Sequence, residues 1–135
     1  MFISHSPEET EEFAARVAAE AQSGWVIGLS GELGAGKTQF VKGLARGLGI
    51  KERVHSPTFA LLNIYDRGRL PLFHLDLYRL ESQDQIVNAG LEEYFSPRGV
   101  SVVEWIERWQ GPTPASFRQF RFEIVNETER RIVYD

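Results

Sequence analysis

Residues Gly31-Glu32-Leu33-Gly34-Ala35-Gly36-Lys37-Thr38 satisfy the pattern G-x-x-x-x-G-K-[ST], and they stand between a strand pattern and a helical one. Before them, Trp25-Val26-Ile27-Gly28-Leu29 is a continuous apolar run of the kind buried on both faces of a parallel sheet. After them, a helix is predicted from Lys37 to about Gly47, with Phe40, Val41, Leu44, Ala45 and Leu48 on one side and Gly47 and Gly49 as terminators. Glycines let successive backbone N–H groups turn inward as an anion nest, and the helix N-terminus adds its partial positive charge. The segment Glu32, Leu33, Gly34, Ala35, Gly36 is therefore expected to cradle a polyphosphate. Lys37 would reach the β- and γ-phosphates, and the Thr38 hydroxyl would take one corner of an octahedral Mg²⁺. Strand, phosphate loop and helix in this order predict an α/β, three-layer P-loop NTPase-like domain. Its mixed sheet should have a parallel core extended by antiparallel hairpins.

The rest of the chain supplies candidates for the other half of such a site. Ser6 reads as an N-cap, with Pro7 in the first turn and Glu9 closing a capping box, so a helix is predicted from about Pro7 to Gln22. Two strand-like runs, Thr58 to Tyr65 and Leu70 to Tyr78, flank the turn signal Asp66-Arg67-Gly68-Arg69 and predict a hairpin. In the second run a period of two places His74, Asp76 and Tyr78 on a polar face opposite Phe73, Leu75 and Leu77. Short helices are expected between Ser82 and Tyr94, a buried strand at Val100 to Glu104, and a closing hairpin of Phe117–Val125 with Arg130–Tyr134. A phosphate-loop ATPase needs a carboxylate near its metal, usually at the end of a neighbouring apolar strand, and there are two candidates: Glu104, which ends the run from Val100, and Asp76, which lies within the run His74 to Tyr78. Ser56-Pro57-Thr58 lies where a switch segment would place a hydroxyl against the γ-phosphate, and Trp105 and Trp109 read equally well as core aromatics.

Composition narrows the possibilities. With 135 residues the chain fits one domain, 1–135. It has no cysteine, which excludes thiolate metal sites and cysteine nucleophiles. A net charge of -4 argues against a stand-alone nucleic-acid binder. No secretory pattern and no apolar run of bilayer-spanning length occurs, so a soluble, cytoplasmic protein without membrane contact is expected.

Four segments, GELGAGKT, SPTF, FHLDLYRL and VEWIERW, together resemble the bacterial TsaE (also YjeE) family, the ATPase component of the tRNA threonylcarbamoyladenosine (t6A) machinery. The resemblance spans roughly residues 25 to 109. It implies ATP and Mg²⁺ as cofactors, with Gly34, Ala35, Gly36, Lys37 and Thr38 on the phosphates. Thr38 and Glu104 would be the metal ligands, Asp76 an acidic residue of hydrolysis, and Thr58 the threonine of the switch-like segment. Arg130 and Arg131 fall where the family carries arginine near the nucleotide, and Ile106 stands where the family usually has proline. The resemblance further implies docking on TsaD and TsaB, weak hydrolysis without them, and contact with tRNA only through that assembly. The sequence leaves the oligomeric state open, with a monomer as one option for the free chain. The competing readings are a small-molecule kinase, which the short chain disfavours, and a nucleotide-gated binding module with incidental hydrolysis. A GTPase is disfavoured by the lack of an N-K-x-D segment.

Overall fold

The computed structural model describes residues 1–57 and 60–134. Its elements, in chain order, are β1 (Phe2–Ser4), α1 (Pro7–Ala19), β2 (Val26–Gly31), α2 (Lys37–Gly47), β3 (Leu62–Tyr65), β4 (Leu72–Asp76), α3 (Gln83–Asn88), β5 (Val100–Glu104), β6 (Arg118–Ile124) and β7 (Arg130–Val133). Short 3₁₀ segments occur at Glu92–Phe95 and Ile106–Arg108. The seven strands form one sheet in the order β1-β7-β6-β2-β5-β4-β3. β2 runs parallel to both β5 and β6, and β4 runs parallel to β5. The outer pairs β3–β4, β6–β7 and β1–β7 are antiparallel. This is the expected mixed sheet, with a parallel core continued by antiparallel strands.

Each face of the sheet buries its own apolar cluster. On one, Phe13 and Ala14 of α1 and Phe40 and Leu44 of α2 meet Ile27, Leu29, Val102 and Phe120. On the other, Ile86 of α3 meets Val26, Leu75, Val103 and Trp109. Helices on both faces of a sheet make three layers. Trp109 belongs wholly to the second cluster: its ring stacks on Phe95 at 3.8 Å and its indole N–H donates to the Pro112 carbonyl at 3.1 Å.

α1 starts where its cap places it. The Glu9 amide donates to Ser6 Oγ at 3.1 Å, and the Glu9 carboxylate accepts from the His5 amide at 2.9 Å, one residue earlier than in the usual box. The helix ends at Ala19 instead of Gln22, because Arg69 from the β3–β4 turn donates to the Ala18 and Ala21 carbonyls at 2.7 and 3.1 Å. A long-range cap of that kind has no local sequence signal.

Gly47 is the last residue of α2, as expected. A Cβ there would come within 2.6 Å of the Ala15 carbonyl, and Gly43, inside the helix, is tighter still at 2.3 Å from the Glu11 carbonyl. These two glycines let α1 and α2 touch backbone to backbone. The stop is Gly49, at φ +78°, with the Ile50 amide donating back to Ala45 at 2.9 Å.

The middle hairpin is shorter than its sequence runs. Thr58 and Phe59 lie outside the described residues, and β3 begins only at Leu62, after Leu61 turns through φ +69°. β4 stops at Asp76, whose carboxylate accepts from the Tyr78 amide at 3.0 Å, so Tyr78 is removed from the face it was expected to share with His74 and Asp76. That face is buried, with His74 at 0% and Asp76 at 5% exposure.

Candidate functional site

The loop joining β2 to α2 sits at the carboxyl end of the parallel strands, where open α/β sheets gather their ligands. Gly31, Gly34 and Gly36 take φ of +135°, +80° and +100°, left-handed values that a side chain would resist. Only glycine brings the backbone through this bend to open α2 at Lys37. Leu33, Gly34, Gly36, Lys37 and Thr38 line a cleft of about 570 Å³. Glu32 and Ala35 belong to the bend but not to the cleft wall; the Ala35 amide donates to the Glu32 carbonyl at 3.1 Å.

Asp76 and Glu104 face the loop from the ends of neighbouring parallel strands. They are directly opposite in the β4–β5 register, and Glu104 is also opposite Leu29 of β2. Both line the cleft and both are nearly buried, at 5% and 4% exposure. Buried carboxylates need cationic company. Lys37 provides it: its ammonium is buried, donates to the Gly31 carbonyl and lies 4.1 Å from the centroid of the Trp105 ring. Burial holds the Lys37 pKa below its ordinary value of 10.5, against the opposing pull of Glu104, Glu107 and Asp76.

Trp105 is therefore a wall of the cleft, while also packing half-buried against the second apolar cluster. It adopts φ +60°, ψ +45°, a left-handed conformation unusual for an aromatic residue, and this turns its ring from the end of β5 over Lys37. Tyr78 packs against it at 5.1 Å. Ile106, where the resembling family usually has proline, tucks under β2, and Gly28 leaves it room: a Cβ there would lie 2.6 Å from Ile106 Cγ1. The strand end carrying Glu104 is undisturbed.

The remaining walls come from farther along the chain. Ser56 lines the cleft, whereas Thr58 is outside the described residues. Arg130 reaches across from β7 to the loop, donating to the Gly34 carbonyl at 3.2 Å and to the Asn126 carbonyl at 2.7 Å. Arg131 points elsewhere and pairs with Glu123 at 3.1 Å. His5, Pro7 and Thr128 extend the cleft beyond the loop, and sequence reasoning did not find them because they converge only through the β1–β7 pairing. His74 was also missed as a site residue: it is buried, with Nε2 at 2.6 Å from Glu104 Oε2. Its signal was the H-x-D alternation, but nothing local tells which strand lies alongside.

Among the described residues no cluster of three or more His, Cys, Asp or Glu side chains forms a metal cage. A hydroxyl at Thr38 and a carboxylate at Glu104 on one cleft wall are instead the hard-oxygen donors suited to Mg²⁺, which keeps several waters and shares a bound polyphosphate. No helix among the described residues is long and apolar enough to cross a membrane.

The chain is similar to known proteins of one family. The family model described as "Threonylcarbamoyl adenosine biosynthesis protein TsaE" matches residues 4–132. A protein of Bacillus subtilis named tRNA threonylcarbamoyladenosine biosynthesis protein TsaE is 43% identical over 96% of this chain and 80% of its own length. The protein of the same name from Treponema pallidum is 41% identical, with 96% of each chain covered. Among solved structures, that of Bacillus subtilis YdiB superposes with a TM-score of 0.83 at 39% identity, over 98% of this chain and 82% of the other.

Proposed function

The chain belongs to the TsaE family of threonylcarbamoyl adenosine biosynthesis proteins, and from that membership we propose that it binds ATP with Mg²⁺ and hydrolyses it in support of tRNA threonylcarbamoyladenosine formation. The observation carrying this reading is the convergence, in one cleft, of the glycine bend, the Lys37 ammonium, the Thr38 hydroxyl and the two buried carboxylates Asp76 and Glu104.

In phosphoryl transfer the protein contributes positioning and electrostatics rather than covalent chemistry. The amides of residues 33 to 38 and the start of α2 hold the β- and γ-phosphates, and Lys37 leaves the Gly31 carbonyl to meet them. Thr38 and Glu104 would hold Mg²⁺, which when bound neutralises charge on the phosphate oxygens. Asp76 orients the attacking water, and its carboxylate is already fixed by the Tyr78 amide. Arg130, anchored on the Gly34 carbonyl, closes the loop from the β7 side. The net charge of -4 supports a role carried out on partner proteins, with tRNA reached through them.

The partners in this reading are TsaD and TsaB, on which the chain docks and which its nucleotide cycle resets. ATP turnover measured with and without the TsaD–TsaB pair, for wild type and Lys37→Ala, tests it. Weak turnover alone, stimulation by the pair and loss in the variant are expected. Full activity in isolation, or stimulation that survives Lys37→Ala, would contradict it. Asp76→Asn separates hydrolysis from nucleotide-gated docking: the reading requires tRNA modification to fall with turnover while nucleotide binding persists.

A further inference from the structure

His74 stands where an apolar layer of the sheet meets polar neighbours, opposite Asn63 on β3. It lies opposite Val102 on β5, in the layer formed with Ile27 and Leu72, and its side chain is fully buried. Its Nε2 is 2.6 Å from Glu104 Oε2. In the neutral ring, donation to the carboxylate places the hydrogen on Nε2 and leaves Nδ1 as an acceptor, and Nδ1 makes no hydrogen bond among the described residues. A buried acceptor without a partner is unfavourable, and a leucine would fill the same space without it. The imidazole therefore needs a reason beyond packing.

We infer that His74 is a positioning residue for the metal site, holding Glu104 by one oxygen so that the other is presented to the cation at the cleft. The inference rests on the proposed reading of Glu104 as a Mg²⁺ ligand. Glu104 ends β5 with its side chain nearly buried, and a glutamate has three side-chain torsions to fix before it can offer an oxygen in one direction. A donor at Oε2 fixes them and leaves Oε1 for the cleft that Glu104 lines. An imidazole N–H does this without an obligatory positive charge, so the carboxylate keeps its own for the metal. A lysine or arginine in the same place would compete with the cation.

The test is Mn²⁺ titration of the ADP-loaded protein, followed by electron paramagnetic resonance, with ADP affinity measured separately in EDTA. His74→Leu should weaken Mn²⁺ binding roughly 10–100-fold, the range found when a ligand loses its orienting partner, while metal-free ADP affinity stays at the wild-type value. His74→Gln, whose amide N–H reaches the Nε2 position, should restore Mn²⁺ affinity, and His74→Asn, which is too short, should not. If His74→Leu fails to fold, the contrast between the Gln and Asn variants decides. Equal, wild-type Mn²⁺ affinity in all the folded His74 variants, with only melting temperature altered, would overturn the inference. Glu104→Gln distinguishes the two levels. If it abolishes Mn²⁺ binding while the His74 variants retain it, only the role of His74 is wrong; if it retains Mn²⁺ binding, the metal-site reading fails and the inference with it.

Discussion

Lys37 is buried, donates to the Gly31 carbonyl and lies against the Trp105 ring, and this environment sets two expectations. Replacing it with alanine removes the mobile charge aimed at the phosphates; since a hydrogen bond to a charged group contributes about 1.5–3 kcal/mol, nucleotide affinity should fall roughly 10–100-fold by calorimetry. Its titration is also linked to folding. The folded-state pKa lies below 10.5, so the native protein releases this proton before the unfolded chain does. Lys37 is thus most favourable to stability above 10.5, and that contribution is lost as pH falls through the lowered folded value. Compared with Lys37→Met in urea unfolding, wild type should gain stability as pH rises through that window; a difference independent of pH would contradict the burial seen here. Residue types revealed the loop and both carboxylates, because their spacing is local. They did not reveal that Trp105 roofs Lys37 or that His74 grips Glu104. The first depends on the pairing of β5 with β2 and the second on the register of β4 against β5, which no short segment encodes.

At the level of elements, the pair α1 and α2 is held by close backbone approach at Gly43 and Gly47. A Cβ at Gly43 would sit 2.3 Å from the Glu11 carbonyl, so Gly43→Ala must push the helices apart and should destabilise by about 1–3 kcal/mol in urea unfolding, although alanine is the better helix former. Retained or increased stability would show that the helices do not meet this way. The Ser6 cap is a local device with a local effect: Ser6→Ala should cost about 0.5–2 kcal/mol, because the Glu9 amide loses its acceptor. Elements with strong periodicity or punctuation were legible, including α1's start, α2 and the full extent of β5. β1 was not, since three residues carry no period and its identity comes from pairing with β7. The end of α1 was misplaced for a similar reason, its cap being supplied by Arg69 from another hairpin.

For the molecule as a whole, topology explains why the site is where it is. Parallel strands β2, β4 and β5 deliver the glycine loop, Asp76 and Glu104 to one end of the sheet, and the β6–β7 hairpin folds Arg130 back against them. The residues of the cleft are gathered at that edge while both sheet faces are used in packing. Everything proposed for its function requires that the bend between β2 and α2 hold a polyphosphate through Lys37. Calorimetric titration of Mg²⁺-ATP into wild type and Lys37→Ala measures this directly. Binding at one site in wild type and roughly 10–100-fold weaker binding in the variant is the predicted result; no heat with wild type, or equal affinity in both, would contradict it.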